Sequence, residues 1–181
     1  YAYTGDIEAV EGLFESLGNL RHGAQLIDIT TRGGVVKGAR IEAFLESFLH
    51  QAEFADLRLP LTIVATDLNT GYAVLMDTGS VAKAVRASIS AAPVIQPLEY
   101  GGRLLSDGAL SNPVPADVVR AMGAQYVIAS SLNNGYFEQQ VGPQDPMGSI
   151  GKRGLAVTQY NLARYTAQCA DALVEPAIDN Q

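Results

Sequence analysis

The sequence predicts an α/β layer domain, and three observations carry that expectation. Helical stripes alternate along the chain with β-prone runs, the pattern of strands packed against helices. Two of those runs, Leu61–Thr66 and Gln125–Ser130, are nearly continuous in apolar residues, which reads as strands of the parallel type buried between helices. No internal repeat and no Pro- or Gly-rich linker divides the 181 residues.

The elements follow in order. Ile7, Val10, Leu13, Phe14 and Leu17 recur at spacings of three and four, so a helix is expected over Ile7–Leu17, capped by Thr4 or Asp6 and ended by Gly18-Asn19. Gln25–Thr30 alternates weakly, as a short strand would, but Arg32-Gly33-Gly34 and Gly38 argue for a loop. Ile41, Phe44, Leu45, Phe48 and Leu49 form one apolar stripe, predicting a helix over Ala39–Gln51. Phe54 and Leu57 suit a short packed turn. The run Leu61–Thr66 ends in Asp67, at the carboxyl edge where open α/β sheets carry function. Asn69-Thr70-Gly71 is a turn into an edge-type strand at Tyr72–Met76. Ser80 caps a helix from Val81 to Ser88 that carries Ala84 and Val85 inward, and Pro93 and Pro97 then force extended or loop geometry. Arg103–Ser106 is a short strand followed by Asp107-Gly108, and Ala116–Met122 is a helix stopped by Gly123. Asn133–Gly148 is polar and broken by prolines, and reads as mobile. Leu155–Cys169 is the last long helix, and Ala172–Val174 a final strand.

Composition narrows the function. Twelve Lys and Arg against nineteen Asp and Glu give a net charge of −7, so no basic stripe is available to track nucleic-acid phosphates. The same balance disfavours adsorption to anionic membrane through basic patches and leaves transient contact with a lipid surface through an apolar rim. The single cysteine, Cys169, excludes an internal disulfide and a cysteine-based zinc cluster. His22 sits in an expected loop. His50 sits at a helix C-terminus, where the dipole accounts for it. No apolar run reaches the length of a membrane span, and nothing marks a signal peptide or a cofactor. Localisation is open, with the cytoplasm favoured. The missing initiator Met and the opening Tyr1-Ala2-Tyr3-Thr4-Gly5 suggest processing or cropping.

Three places hold chemistry-bearing side chains. Asp107 directly follows an apolar strand and precedes Gly108, which lets a partner approach closely. An aspartate bonded to its own turn fits the same pattern. Arg86-Ala87-Ser88-Ile89-Ser90-Ala91-Ala92-Pro93 is crowded with small residues. Its serines are candidate nucleophiles, or helix terminators that satisfy nearby carbonyls, and Arg86 is a candidate partner for an internal carboxylate. Asp67, closing Thr66-Asp67-Leu68, reads as structural when taken alone. No G-x-S-x-G occurs, so a serine triad of the elbow type is not encoded in these residues.

These blocks, in this order, resemble the patatin-like phospholipase family of serine acyl hydrolases. Leu59-Pro60-Leu61-Thr62-Ile63-Val64-Ala65-Thr66-Asp67-Leu68 with Gly71 is similar to the family's strand ending in Thr-Asp-Leu. Val85–Pro93 is similar to its helix-and-proline block, and Ser106-Asp107-Gly108-Ala109-Leu110-Ser111-Asn112-Pro113 to its Asp-Gly-Gly or Asp-Gly-Ala block with the following Asn and Pro. Gly123–Ala129 and Ala170–Pro176 fit its later segments.

The resemblance implies a central, largely parallel sheet between helices and an activity in lipid metabolism and degradation. It implies cleavage of carboxylic esters by a Ser-Asp dyad without histidine or cofactor. Asp107 falls on the dyad aspartate, with Gly108 and Ala109 as its motif and Asp67, Arg86, Ser88, Pro93 and Asn112 in support. The nucleophile elbow and a glycine-rich oxyanion loop belong upstream. Residues 1–181 are therefore expected to form one partial hydrolase domain that lacks its amino-terminal strand and elbow and is inert alone. Its expected partners are a lipid or acyl ester substrate and the absent amino-terminal segment. Two other readings stand beside this one. One is a non-catalytic lipid-binding or interaction module of the same fold. The other is a Mg²⁺-dependent hydrolase using Asp67 and Asp107.

Overall fold

The computed structural model of the protein describes residues 1–18, 25–30, 35–132, 142 and 144–176. It divides into two compact units, Tyr1–Gly108 and Ala109–Gln181.

The first unit runs α1 (Ile7–Gly18), α2 (Ala39–Phe48), a 3₁₀ turn at Phe54–Asp56, β1 (Ile63–Asp67), β2 (Ala73–Met76), α3 (Val81–Ser88), β3 (Leu98–Tyr100) and β4 (Arg103–Asp107). Asp6 caps α1, its Oδ1 accepting the Glu8 N–H at 2.9 Å. Ser80 caps α3, its Oγ accepting the Lys83 N–H at 3.3 Å. Helix α2 is shorter than its stripe predicts, because His50 and Gln51 turn into the left-handed region at φ 50° and 60°. The stop at Gly18-Asn19 reaches outside the described residues at Asn19, as do His22 and Arg32-Gly33-Gly34 entirely. Of the weak strand Gln25–Thr30, Ile29 alone forms a bridge, to Val36.

The four strands form one sheet in the order β2-β1-β4-β3, and every pairing in it is antiparallel. This corrects the largely parallel sheet expected from the sequence. Direction is set by the connections. Asn69-Thr70-Gly71 returns the chain from β1 to β2, with the Gly71 N–H donating to the Asp67 carbonyl at 2.7 Å and Gly71 at φ 75°. Gly101-Gly102 joins β3 to β4 in a two-residue turn with φ 59° and 74°, a conformation that two glycines adopt without strain. Strands joined by such hairpins run antiparallel.

Strand β1 is buried because it is interior to the sheet, with α3 packed against it. Ala65, Met76 and Leu105 from the sheet meet Val81, Ala84 and Ala87 from α3 and Phe54 from the 3₁₀ turn. Ala84 and Ala87 are fully buried, and their small side chains let the helix lie close to the strands.

The second unit runs α4 (Ala116–Ala121), β5 (Ile128–Ser130), α5 (Met147–Thr166), a 3₁₀ turn at Ala167–Cys169 and β6 (Ala172–Val174). Strands β5 and β6 pair in parallel. Val114, Ala129, Ala163 and Ala167 make its core. The expected buried strand at Gln125–Ser130 is covered on one side only. Val127 and Ala129 are buried, while Tyr126 and Ile128 are 64% and 69% exposed. Helix α5 starts eight residues before the expected Leu155, through Gly148, Gly151 and Gly154. The segment read as mobile therefore ends in helix; its residues 133–141 and 143 lie outside the described ones. Arg120 binds the start of β5 to the start of β6. It donates to the carbonyls of Gln125 (2.8 Å) and Cys169 (3.0 Å) and pairs with Asp171 at 2.5 Å. Among the described residues no helix is long and apolar enough to cross a membrane.

Leu105→Ala, at a site 1% exposed, should cost about 2–5 kcal/mol, read as a lower urea midpoint at unchanged slope. The Val127 N–H, and then the Arg120 guanidinium, hold the Asp171 carboxyl below the usual carboxylate range. A lowered pKa stabilises the fold above the unfolded-state value, about 4. The stability gap between wild type and Asp171→Asn should thus be full at pH 7 and shrink as pH falls below about 4. A gap unchanged down to pH 2 would contradict it.

Candidate functional site

Asp107 is the last residue of β4, and its backbone is held from both sides. Opposite Ala65 of β1, its carbonyl accepts the Thr66 hydroxyl at 2.7 Å. On the other flank β3 reaches only as far as Leu105, so Ser106 and Asp107 run past it. The carbonyl of Ser90 takes the place of a strand partner there. It accepts the Asp107 N–H at 3.1 Å and the Ser106 hydroxyl at 2.6 Å. The residue is half-buried, between the fully buried Ser106 and the buried Gly108.

Gly108 is required by a close approach. A Cβ at this position would stand 2.3 Å from the Val64 carbonyl oxygen and 2.9 Å from its carbon. The close partner anticipated for this glycine is thus the backbone of β1. Gly108 opens a 3₁₀ turn, Gly108–Leu110, that contains the half-buried Ala109.

Among the described residues Arg86 forms no ion pair with a carboxylate; its acceptors are neutral. The side chain is 2% exposed. Nε donates to the Gly38 carbonyl at 2.9 Å, Nη2 to the carbonyls of Lys37 (2.6 Å) and Gln96 (2.9 Å), and Nη1 to the Ser90 hydroxyl. Desolvation lowers its pKa, and the more distant carboxylates of Glu42 and Asp28 work against that shift. Gly38, at φ 80°, leaves room for the guanidinium, which a Cβ would meet at 2.3 Å. Asp28 accepts the N–H groups of Gly38 (2.6 Å), Ala39 (2.9 Å) and Arg40 (3.3 Å) at the start of α2. Burial works to raise the Asp28 carboxyl, and these bonds outweigh it, so its pKa is lowered.

Of the two candidate serines, Ser90 is fully buried and donates back to the Arg86 carbonyl at 2.7 Å, a helix-end role. Ser88 closes α3, half-buried. Pro93 is exposed and follows a cis bond from Ala92. Asp67 is 7% exposed, and its Oδ1 accepts the Asn69 N–H at 2.9 Å, binding the carboxylate into its own turn. It stands opposite Leu105, and Asp107 stands opposite Ala65, so the two aspartates are not cross-strand partners. In the second unit, buried Asn112 donates to Asp117 Oδ1 at 2.9 Å, and its own Oδ1 has no partner among the described residues. The structure thus links Asp107 to Arg86 and leaves Asp67 in a turn of its own. Sequence reasoning did not find Gly38, Asp28, Thr66 and Ser106 as parts of this arrangement. The spacing Arg86-x-x-x-Ser90, one helical turn, was the available signal.

Comparison with known proteins places this geometry in context. A family described as patatin-like phospholipase matches residues 8–120, more than half of the chain. An uncharacterized NTE family protein of Mycobacterium tuberculosis is 36% identical over 100 residues, covering 55% of this chain and 28% of that protein. Another NTE family protein, from Mycobacterium bovis, is 36% identical over 87 residues, 48% of this chain and 15% of its own length. Patatin-like phospholipase domain-containing protein 7 of Mus musculus is 35% identical over 99 residues, 54% of this chain and 7% of its own length. The alignments thus span less than a third of each of these relatives.

The contact at Gly108 is with backbone, which cannot rotate away. Gly108→Ala should therefore destabilise the fold by about 1–3 kcal/mol through overpacking. A thermal midpoint equal to wild type would show that β1 and the turn separate freely.

Proposed function

Because the chain belongs to the patatin-like phospholipase family, we propose that it supplies the aspartate of a Ser-Asp dyad that cleaves carboxylic esters of lipids. The supporting observation is the fixed backbone of Asp107, between Thr66 and Ser90, at the end of an interior strand. Family membership supports a lipid-acting hydrolase in general.

In this reading a serine hydroxyl outside residues 1–181 attacks the ester carbonyl while Asp107 accepts its proton. The C–O bond to the alcohol then breaks, the alcohol leaving with a proton, and water hydrolyses the acyl-serine. Carboxylates are weak bases at neutral pH, so placement must supply much of the rate. Backbone N–H donors for the oxyanion, worth about 3 kcal/mol each, would come from the same upstream region as the serine. Gly108 and Ala109 shape the turn beyond the base. Arg86 supports it through Ser90, whereas Asp67 closes its own turn. The substrate is an acyl ester presented free or at a lipid surface.

A second reading, a lipid-binding module without turnover, is favoured by one observation: no G-x-S-x-G occurs in these residues. A fluorophosphonate probe on the protein that carries this chain with its upstream sequence separates the two. Labelling of one serine is expected, together with ester turnover that falls about 10²–10⁴-fold in Asp107→Asn at an unchanged thermal midpoint. The 181-residue chain alone should give no turnover. Absence of labelling with retained vesicle binding would favour the module, and full turnover by Asp107→Asn would overturn the dyad.

A further inference from the structure

If Asp107 is the proton acceptor proposed above, its carboxylate must be held in place. A buried guanidinium is costly to desolvate, and an apolar side chain of similar volume often serves packing as well or better. Arg86 nevertheless sits in the interior, and its contacts reach three separate segments of the chain. Lys37 and Gly38 lead into α2, Gln96 precedes β3, and Ser90 follows α3. One cation therefore joins these segments, and the one that carries Ser90 meets the end of β4.

Ser90 is the point where this junction meets the candidate base. Its hydroxyl donates to the Arg86 carbonyl at 2.7 Å and accepts from the Arg86 guanidinium, and its N–H donates to the Ala87 carbonyl at 3.1 Å. Its carbonyl is thereby aimed at β4, where it takes the Asp107 N–H and the Ser106 hydroxyl. Since β3 stops at the level of Leu105, this carbonyl is the hydrogen-bonding partner of β4 on that side at Asp107. From this geometry we infer that Arg86 and Ser90 are positioning residues for the hydrolytic reaction. They orient the Ser90 carbonyl, the carbonyl sets the backbone of Asp107, and the backbone sets where its carboxylate stands. Neither residue touches substrate.

The test uses the protein that carries the nucleophile, with p-nitrophenyl butyrate as substrate and kcat, KM and the thermal midpoint read separately. Ser90→Ala removes the hydroxyl and leaves the backbone. A misplacement of about 1 Å costs on the order of 10²-fold, so kcat should fall by about that factor while KM stays within about twofold. Arg86→Lys keeps the charge and loses the fork, and should lie between wild type and Ser90→Ala. If it does not fold, Ser90→Ala carries the test. Met76→Ala, in the same core and outside the network, supplies a destabilised comparison and should keep kcat near wild type. A Ser90→Ala kcat within about threefold of wild type overturns the inference, as does a loss no larger than that of Met76→Ala. Full activity of Asp107→Asn would sink the dyad and this inference with it. An inactive Asp107→Asn beside a normal Ser90→Ala would sink this inference alone.

Discussion

The organisation of the first unit depends on one buried cation. Arg86 has exchanged water for three backbone carbonyls and a hydroxyl. Hydrogen bonds to an ionised donor are roughly twice as strong as neutral ones. Each carbonyl left without its donor in the interior would cost about 1–3 kcal/mol. The constraint extends outward. Gly38 has no side chain because the guanidinium fills that space, and the Asp28 carboxylate completes the backbone on its far side by taking the N–H groups that open α2. Aspartate, glycine and arginine, distant in sequence, are thus tied to one geometry.

The end of β4 shows how that geometry reaches a candidate site. A strand's last residue ordinarily frays because its partners stop short. Here one flank is closed by the Thr66 hydroxyl and the other by the Ser90 carbonyl, while Gly108 turns the chain directly against the Val64 carbonyl. The carboxylate of Asp107 is the variable part of a residue whose N–H and C=O are both committed. That is the arrangement expected where a side chain must stand in one place.

Helices and caps were legible in the sequence, whereas strand direction was not. The stripe of α2, the Ser80 cap of α3 and the small inward residues of α3 are local patterns, and the structure retains them. The continuous apolar run at Leu61–Thr66 reported burial correctly but carried no information on direction, and an interior antiparallel strand is buried just as a parallel one is. Direction lay in Gly101-Gly102, a two-glycine hairpin signal between Tyr100 and Arg103. At Gln125–Ser130 the apolar run overstated burial, since Tyr126 and Ile128 face out. Asp107 stands out in the sequence by its place after a strand and before a glycine, a pattern that an aspartate bonded to its own turn shares. The partners of Arg86 do not stand out, because backbone carbonyls have no sequence signature, and an arginine bound to carbonyls looks in sequence like one bound to a carboxylate.

The proposed role of Asp107, a carboxylate acting as base without histidine, would give such a framework its purpose. Imidazole titrates near neutral pH and tolerates some error in placement, because its proton affinity suits the task. An aspartate has a weaker pull on the hydroxyl proton, so more of the rate must come from distance and angle. Geometry of that quality is not available from a flexible strand end. It needs a backbone fixed by buried bonds, and buried polar groups hold position only when each is satisfied. Arg86, Ser90, Ser106 and Thr66 meet that condition around Asp107, in a unit whose apolar core is built from only a few large side chains. Replacing the network with apolar residues would leave a core that packs and a strand end without a set position. In the proposed reading, then, the polar interior of this unit serves the placement of one carboxylate.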